Sequence, residues 1–193
     1  MSTHSTTARP TRLHRVPAVL RRRWPIAVGL LAAAAIVLTG PLGPDDVAVG
    51  VAIAVSCYLA AVAFSRPWMA WAWCLVGTGL VVASRLLDVP PLLTNGVAAV
   101  VLVGVGIVRG AARPALARQT AGLVLYGALV LVALSVPPGP GLAVAALALL
   151  GHGAWDLWHL RSHRGDVSPS LAEACVALDV PAGVAVLLLA FVV

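Results

Sequence analysis

The sequence predicts an all-α protein: a polytopic transmembrane bundle of seven helical spans. Three observations carry that prediction. Hydrophobic residues make up 61% of the 193 and charged residues only 10%, whereas a soluble domain carries about 25% charged residues. Mean hydropathy is +0.99. The apolar residues fall into seven stretches close to the ~20 residues that cross a bilayer core, separated by Pro- and Gly-rich breaks.

Residues 1–23 are polar and basic, rich in Ser, Thr, Pro and Arg, and read as a disordered cytoplasmic tail ahead of a transmembrane domain at 24–193. The expected spans cover residues 24–40, 46–64, 67–87, 91–108, 119–136, 141–160 and 170–193. Pro41-Leu42-Gly43-Pro44, Pro90-Pro91 and the run from Pro137 to Gly141 mark three of the breaks. Short connections make sequence neighbours mostly antiparallel neighbours in space.

Arginine sets the orientation. All thirteen basic residues are Arg, and six precede residue 24. With the N-terminus inside, the inner loops hold Arg66, then Arg109, Arg113 and Arg118, then Arg161 and Arg164, leaving only Arg85 outside. That positive-inside pattern predicts a cytoplasmic-type membrane, an inner N-terminus and an outer C-terminus. A cleaved signal is the weaker reading, because no A-x-A-like site follows the first span, which runs into Thr39-Gly40-Pro41. The pI of about 10.6 mostly reports the tail, so no basic surface is left for nucleic acid. The lipid bilayer is the expected partner.

Several residues have local readings. Asp45 and Asp46 suit the positive end of the second helix. Arg85 and Asp88 read as a local pair one turn apart. Ser170-Leu171-Ala172-Glu173 fits a capping box, with Ser168-Pro169 as the alternative start. Cys57, Cys74 and Cys175 lie singly in apolar segments, behave as small hydrophobes and form neither a disulfide framework nor a redox pair. Tyr58 and Tyr126 are expected to pack with one hydrogen bond each. All six Trp lie near the inner ends. An interfacial belt accounts for Trp24, Trp68 and Trp71, whereas Trp155 and Trp158 are candidates to wall a cavity opening inward.

The chemistry concentrates late in the chain, in Gly151-His152-Gly153-Ala154-Trp155-Asp156-Leu157-Trp158-His159-Leu160-Arg161-Ser162-His163. On an ideal helix with His152 at zero, Asp156 falls near 40°, His159 near −20° and His163 near 20°, at roughly 100° per residue. Three imidazoles and a carboxylate thus share one face in a segment where ionisable groups are expensive and by default functional. His163, beyond Arg161, reads as solvated. Counting about 1.5 Å per residue puts His152 about 13 Å below the inner surface and Asp179, on the next helix, at the same depth. Neutral imidazole can donate to Asp179 from one nitrogen and use the other for a proton or a metal. Pro181 frees the carbonyl of Ala177 nearby.

Three functions fit these residues. His152, Asp156 and Asp179 can hold a divalent metal, zinc or iron by donor type, activating water against a lipid-like molecule that enters from the bilayer. In that role Asp179 is a ligand or general base, and His159 an acid or supporting group. Alternatively, the same groups relay protons or ions for a transporter. Otherwise they clamp helices in a structural or partner-binding subunit. The outer half offers little polarity beyond Thr78, Thr94 and Asn95, which ranks transport lower.

The run from His152 to His159, followed by Cys175-Val176-Ala177-Leu178-Asp179, resembles an uncharacterised family of small multi-pass bacterial membrane proteins. Their signature is a His-x2-Trp-Asp-x2-His helix followed by a Cys-x3-Asp helix. The resemblance covers about thirty residues and implies a shared bundle without an activity. A looser similarity is to the alkaline-ceramidase-like membrane hydrolases, whose last span carries His-x3-His in a zinc site. Here His152 matches the first His and Asp156 stands in the second place, while Ala60 follows Ser56 where that family has an early His. The similarity implies a metal site, and a hydrolase by analogy.

Overall fold

The computed structural model describes residues 15–39 and 42–192, with side chains from Arg23 onward. The fold is all-helical over these residues. Its seven helices are α1 (Arg15–Leu38), α2 (Pro44–Ala63), α3 (Met69–Leu86), α4 (Pro91–Val108), α5 (Arg113–Ser135), α6 (Pro138–Ser162) and α7 (Pro169–Leu189). Helices α2 to α7 are each long and apolar enough to cross a membrane, and the apolar part of α1 is the shorter Arg23–Leu38. Most of the expected tail, together with Gly40, Pro41 and Val193, lies outside the described residues. The part of the tail from Arg15 continues α1 toward the N-terminus instead of being unstructured.

Helix α2 is the axis of the bundle and packs against α3, α4, α5 and α6. Residues 55–63 of α2 are buried on every side, as expected of a helix that is apolar all round. That stretch is mostly Ala, Val, Ser and Cys, small enough for neighbouring backbones to approach closely. The outer helices turn large apolar residues outward, among them Leu75, Val100, Val108 and Leu131, which suits contact with lipid.

Helices α6 and α7 form the most extensive helix pair, and α1 packs along α7. Glycine permits both approaches. A Cβ at Gly183 would lie 2.7 Å from Leu150 Cγ, and one at Gly153 would lie 3.4 Å from Asp179 Cβ. A Cβ at Gly29 would overlap the carbonyl of Ala174. This close α6–α7 hairpin brings the His/Asp face of α6 onto α7.

Helices α2, α3 and α4 end alike. Ser65, Asp88 and Gly110 take positive φ, at 52°, 53° and 69°. Arg66, Val89 and Ala111 each donate a backbone N–H five residues back, at 2.9 Å, to Ala61, Ser84 and Gly106, as in Schellman-type helix ends. Asp88 is therefore spent on closing α3. Arg85 reaches instead across to Asp46 at 3.1 Å, so the expected Arg85–Asp88 pair is corrected. Asp46 also accepts from the backbone of Gly43 at 3.2 Å, which confirms the acidic start of α2.

Two boundaries also differ. Helix α5 begins at Arg113, six residues before the expected Gln119, because Pro114 fits the first turn and the segment packs inward at Ala115 and Leu116. Helix α7 begins at Pro169 after Ser168. The Ser170–Glu173 capping box does not form, because Ser170 lies inside the first turn and its hydroxyl accepts from Trp71 Nε1 at 3.0 Å.

Candidate metal centre

His152, Asp156 and Asp179 meet where α6 packs on α7. His152 Nδ1 lies 2.8 Å from Asp179 Oδ2 and 3.3 Å from Asp156 Oδ2. All three residues are buried, none more than 1% exposed. Nδ1 is the ring nitrogen that faces both carboxylates, so it either donates a hydrogen to Asp179 or, without that hydrogen, presents its lone pair to an ion between them. Nε2 has no partner, and neither carboxylate oxygen of Asp156 has a hydrogen-bond donor. An unmet buried polar atom costs about 1–3 kcal/mol, more when charged. Three such atoms in one cluster mark a place built for something further.

Charge balance points the same way. Two carboxylates beside a protonated imidazole leave one buried negative charge, which is costly away from water. Two carboxylates beside a neutral imidazole and a divalent cation sum to zero. Each residue offers one ligand atom, and these atoms lie within 4.8 Å of one another. Bonds from such an ion to N and O donors run about 2.0–2.2 Å. One imidazole and two carboxylates suit zinc or iron.

Aromatic rings wall the cluster. Tyr58 of α2 and Tyr126 of α5 flank the His152 ring, with centroids 5.7 and 5.5 Å away. The Tyr58 hydroxyl is buried without a partner, so the expectation of one packing hydrogen bond fails there. Trp155 packs against Tyr126 and His159. Trp73 is tied to Ser56 at 3.1 Å.

His159 shares the face but not the cluster. Its Nδ1–H donates to the carbonyl of Trp155 at 3.0 Å, and its Nε2 accepts from the amide of Gln119 at 2.9 Å. With both nitrogens engaged, His159 offers no free ligand or acid position and instead orients the helix end. His163 is half-buried and stacks on Trp158 with ring centroids 4.2 Å apart, so it is not the solvated group expected. In the sequence Gln119 falls at an expected span boundary, where an amide draws no notice. It sits a turn and a half inside α5, where a buried amide is a signal in itself.

Cavities border the bundle among the described residues. One, of about 650 Å³, lies between α1, α2, α3 and α7 and has Asp179 on its wall, together with Cys57, Cys74 and Cys175. Another, of about 740 Å³, lies between α2, α4 and α5 and is apolar apart from Tyr126. The three cysteines are free, yet they converge in one place, which their isolated positions in the sequence concealed. No protein-family model, curated protein or solved structure matches this chain.

Proposed function

We propose that the protein is a membrane-embedded, metal-dependent enzyme acting on a lipid-soluble substrate at His152, Asp156 and Asp179. The observation that carries this reading is the convergence of one ligand atom each from His152, Asp156 and Asp179 within 4.8 Å of one another, with both oxygens of Asp156 lacking a hydrogen-bond partner. His152, Asp156 and Asp179 hold the ion, and the ion supplies Lewis acidity toward an oxygen of the substrate or of water. Asp179 is the ligand that also borders a cavity, so it is the group that meets the substrate and takes a proton from it. The Tyr58 hydroxyl, buried beside the His152 ring, is left without a hydrogen-bond partner. His159 and Gln119 hold the helix end in place.

Helix α1 completes a seven-span topology in this reading: its apolar part, Arg23–Leu38, extends for about 24 Å at 1.5 Å per residue, and the arginines ahead of it suit the cytoplasmic interface. The arginine-rich loops lie at the cytoplasmic face, and the metal centre lies in the inner half of the bilayer. Elemental analysis of the purified chain tests the proposal. About one equivalent of zinc or iron is expected, lost in His152→Ala and Asp156→Asn. A metal-free native protein that still binds none on titration overturns it.

One observation favours a second reading, an ion- or proton-coupled transporter. The cavity at Asp179 also reaches Thr39, Asp46, Thr78 and Arg85, which gives the outer half more polarity than the sequence suggested. Proton flux in proteoliposomes, abolished by Asp179→Asn in metal-free protein, would establish transport in place of catalysis.

A further inference from the structure

The three free cysteines are not equivalent. Trp73 Nε1 donates to Ser56 Oγ at 3.1 Å, and a Cβ on Gly77 would lie 3.1 Å from Ile53 Cγ2. These contacts hold α2 and α3 close together, in an antiparallel register that sets Cys57 opposite Cys74. The two thiols interact directly, whereas Cys175 on α7 stands further off in the same apolar cluster. A disulfide spans Cα atoms about 4.4–6.8 Å apart. Helix axes packed about 8–10 Å apart bring facing Cα atoms into that range, since each lies about 2.3 Å from its own axis. The sequence hides this pair, because the two residues belong to different helices and form no CxxC motif.

Both thiols line the cavity beside Asp179, whose volume of about 650 Å³ falls within the ~300–1,000 Å³ of small-molecule sites. Helix α1 packs extensively only on α7, so the gap between the α1/α7 pair and the α2/α3 pair faces the bilayer. At the arginine-rich end Trp24 stacks on Trp71 with centroids 5.4 Å apart, and Trp71 donates to Ser170, which closes the cavity there. At the other end Arg85 and Asp46 spend their charges on each other, and the walls between are mostly aliphatic. An oxidant that reaches the thiols must therefore be uncharged and at home in hydrocarbon. It must also take two electrons and two protons, because a one-electron step would strand a thiyl radical in an apolar site. A quinone meets these conditions.

We propose that Cys57 and Cys74 are a redox-active pair that reduces a lipid-soluble quinone bound in this cavity, closing a reversible disulfide between α2 and α3. Two S–H bonds break and one S–S bond forms. The two electrons and two protons pass to the quinone, whose carbonyl oxygens become the hydroxyls of the quinol. Cys175 keeps its thiol. This activity goes beyond the metal-site reading and does not rest on it.

The probe is decylubiquinone, whose ring has no open position for a thiol to add to, mixed anaerobically with the full chain in detergent. Quinol should appear in proportion to protein, and alkylation should find one of the three thiols left. Mass spectrometry should show Cys57 joined to Cys74 and Cys175 alkylated. Cys175→Ser should react like the native chain, whereas Cys57→Ser and Cys74→Ser should give no quinol. Gly50 lies on the same face of α2 as Cys57, about two turns away. It lines the cavity, and a Cβ there would meet nothing within 4 Å. Gly50→Phe should slow decylubiquinone at least fivefold, while molecular iodine, a small apolar oxidant, still closes the disulfide. If Gly50→Phe does not fold, the native chain decides, because oxidation through a binding site saturates with decylubiquinone concentration. Asp156→Asn, which removes a metal ligand, should leave the quinol yield unchanged, so this proposal and the metal reading fail separately. A disulfide formed by iodine without quinol from decylubiquinone, oxidation by cumene hydroperoxide alone, a bond that uses Cys175, an equal rate in Gly50→Phe, or a rate that does not saturate overturns the proposal.

Discussion

The His152–Asp179 contact joins two helices by one short hydrogen bond between groups with no access to water. Removing either partner strands the other. His152→Leu and Asp179→Leu should each destabilise the protein, and the double substitution should recover part of the loss. Interhelical hydrogen bonds in membranes average ~0.6 kcal/mol, with a maximum near 1.7. The charge-capable pair here should couple by about 1–2 kcal/mol in a double-mutant cycle of unfolding in detergent. Additive losses would mean that the contact contributes nothing. A structural clamp alone also predicts that the double substitution keeps whatever activity the protein has, and the enzyme reading predicts that it abolishes it. Tyr58→Phe is the contrasting case. Its hydroxyl is buried and unpartnered, so its removal should leave stability unchanged or raise it by up to about 1 kcal/mol, while activity falls.

Among the elements, the α6–α7 hairpin decides whether the cluster exists. Gly183 faces Leu150 and the carbonyl of Ala146 at distances a Cβ would crowd. Gly183→Val should therefore push α7 away from α6, at about 1–3 kcal/mol for overpacking, and should lower metal content at the same time by parting Asp179 from His152. Gly127, on an open face of α5 with nothing near its Cβ, makes the control. Gly127→Ala should keep the metal and gain slightly from helix propensity. Thermal unfolding and elemental analysis of the two variants report both effects. If Gly183→Val keeps both stability and metal, the close approach is not what assembles the site. Helix α5 shows how a small error at this scale hides a residue. Starting the span at Gln119 makes that amide look interfacial, whereas six residues of preceding helix bury it against His159.

On the scale of the whole molecule, polarity is divided between the two ends. The arginine-rich loops gather at one end, where Arg118 also pairs with Asp166 across from α5 to the α6–α7 connection. The other end keeps a single Arg, neutralised by Asp46. A reporter fused ahead of residue 1 should therefore be active in the cytoplasm, and one fused after residue 193 active outside. Reversed reporters would place the His152–Asp179 cluster in the outer half of the bilayer.

The residue order on its own determines a multi-pass helical pattern and the one helix face on which His152, Asp156 and His159 gather. Hydropathy, arginine placement and the His152/Asp156/His159 periodicity are local properties, written directly in residue order. The depth match of His152 with Asp179 was also legible, because rise per residue is nearly constant along any helix. Helix rotation is different. Which way α7 turns its carboxylate, that His159 pairs with Gln119, that Arg85 prefers Asp46 to its neighbour Asp88, and that three scattered cysteines floor one cavity depend on side-chain packing between helices distant in sequence. Close approach at Gly153 and Gly183 fixes those rotations, and no pattern along a single helix encodes them.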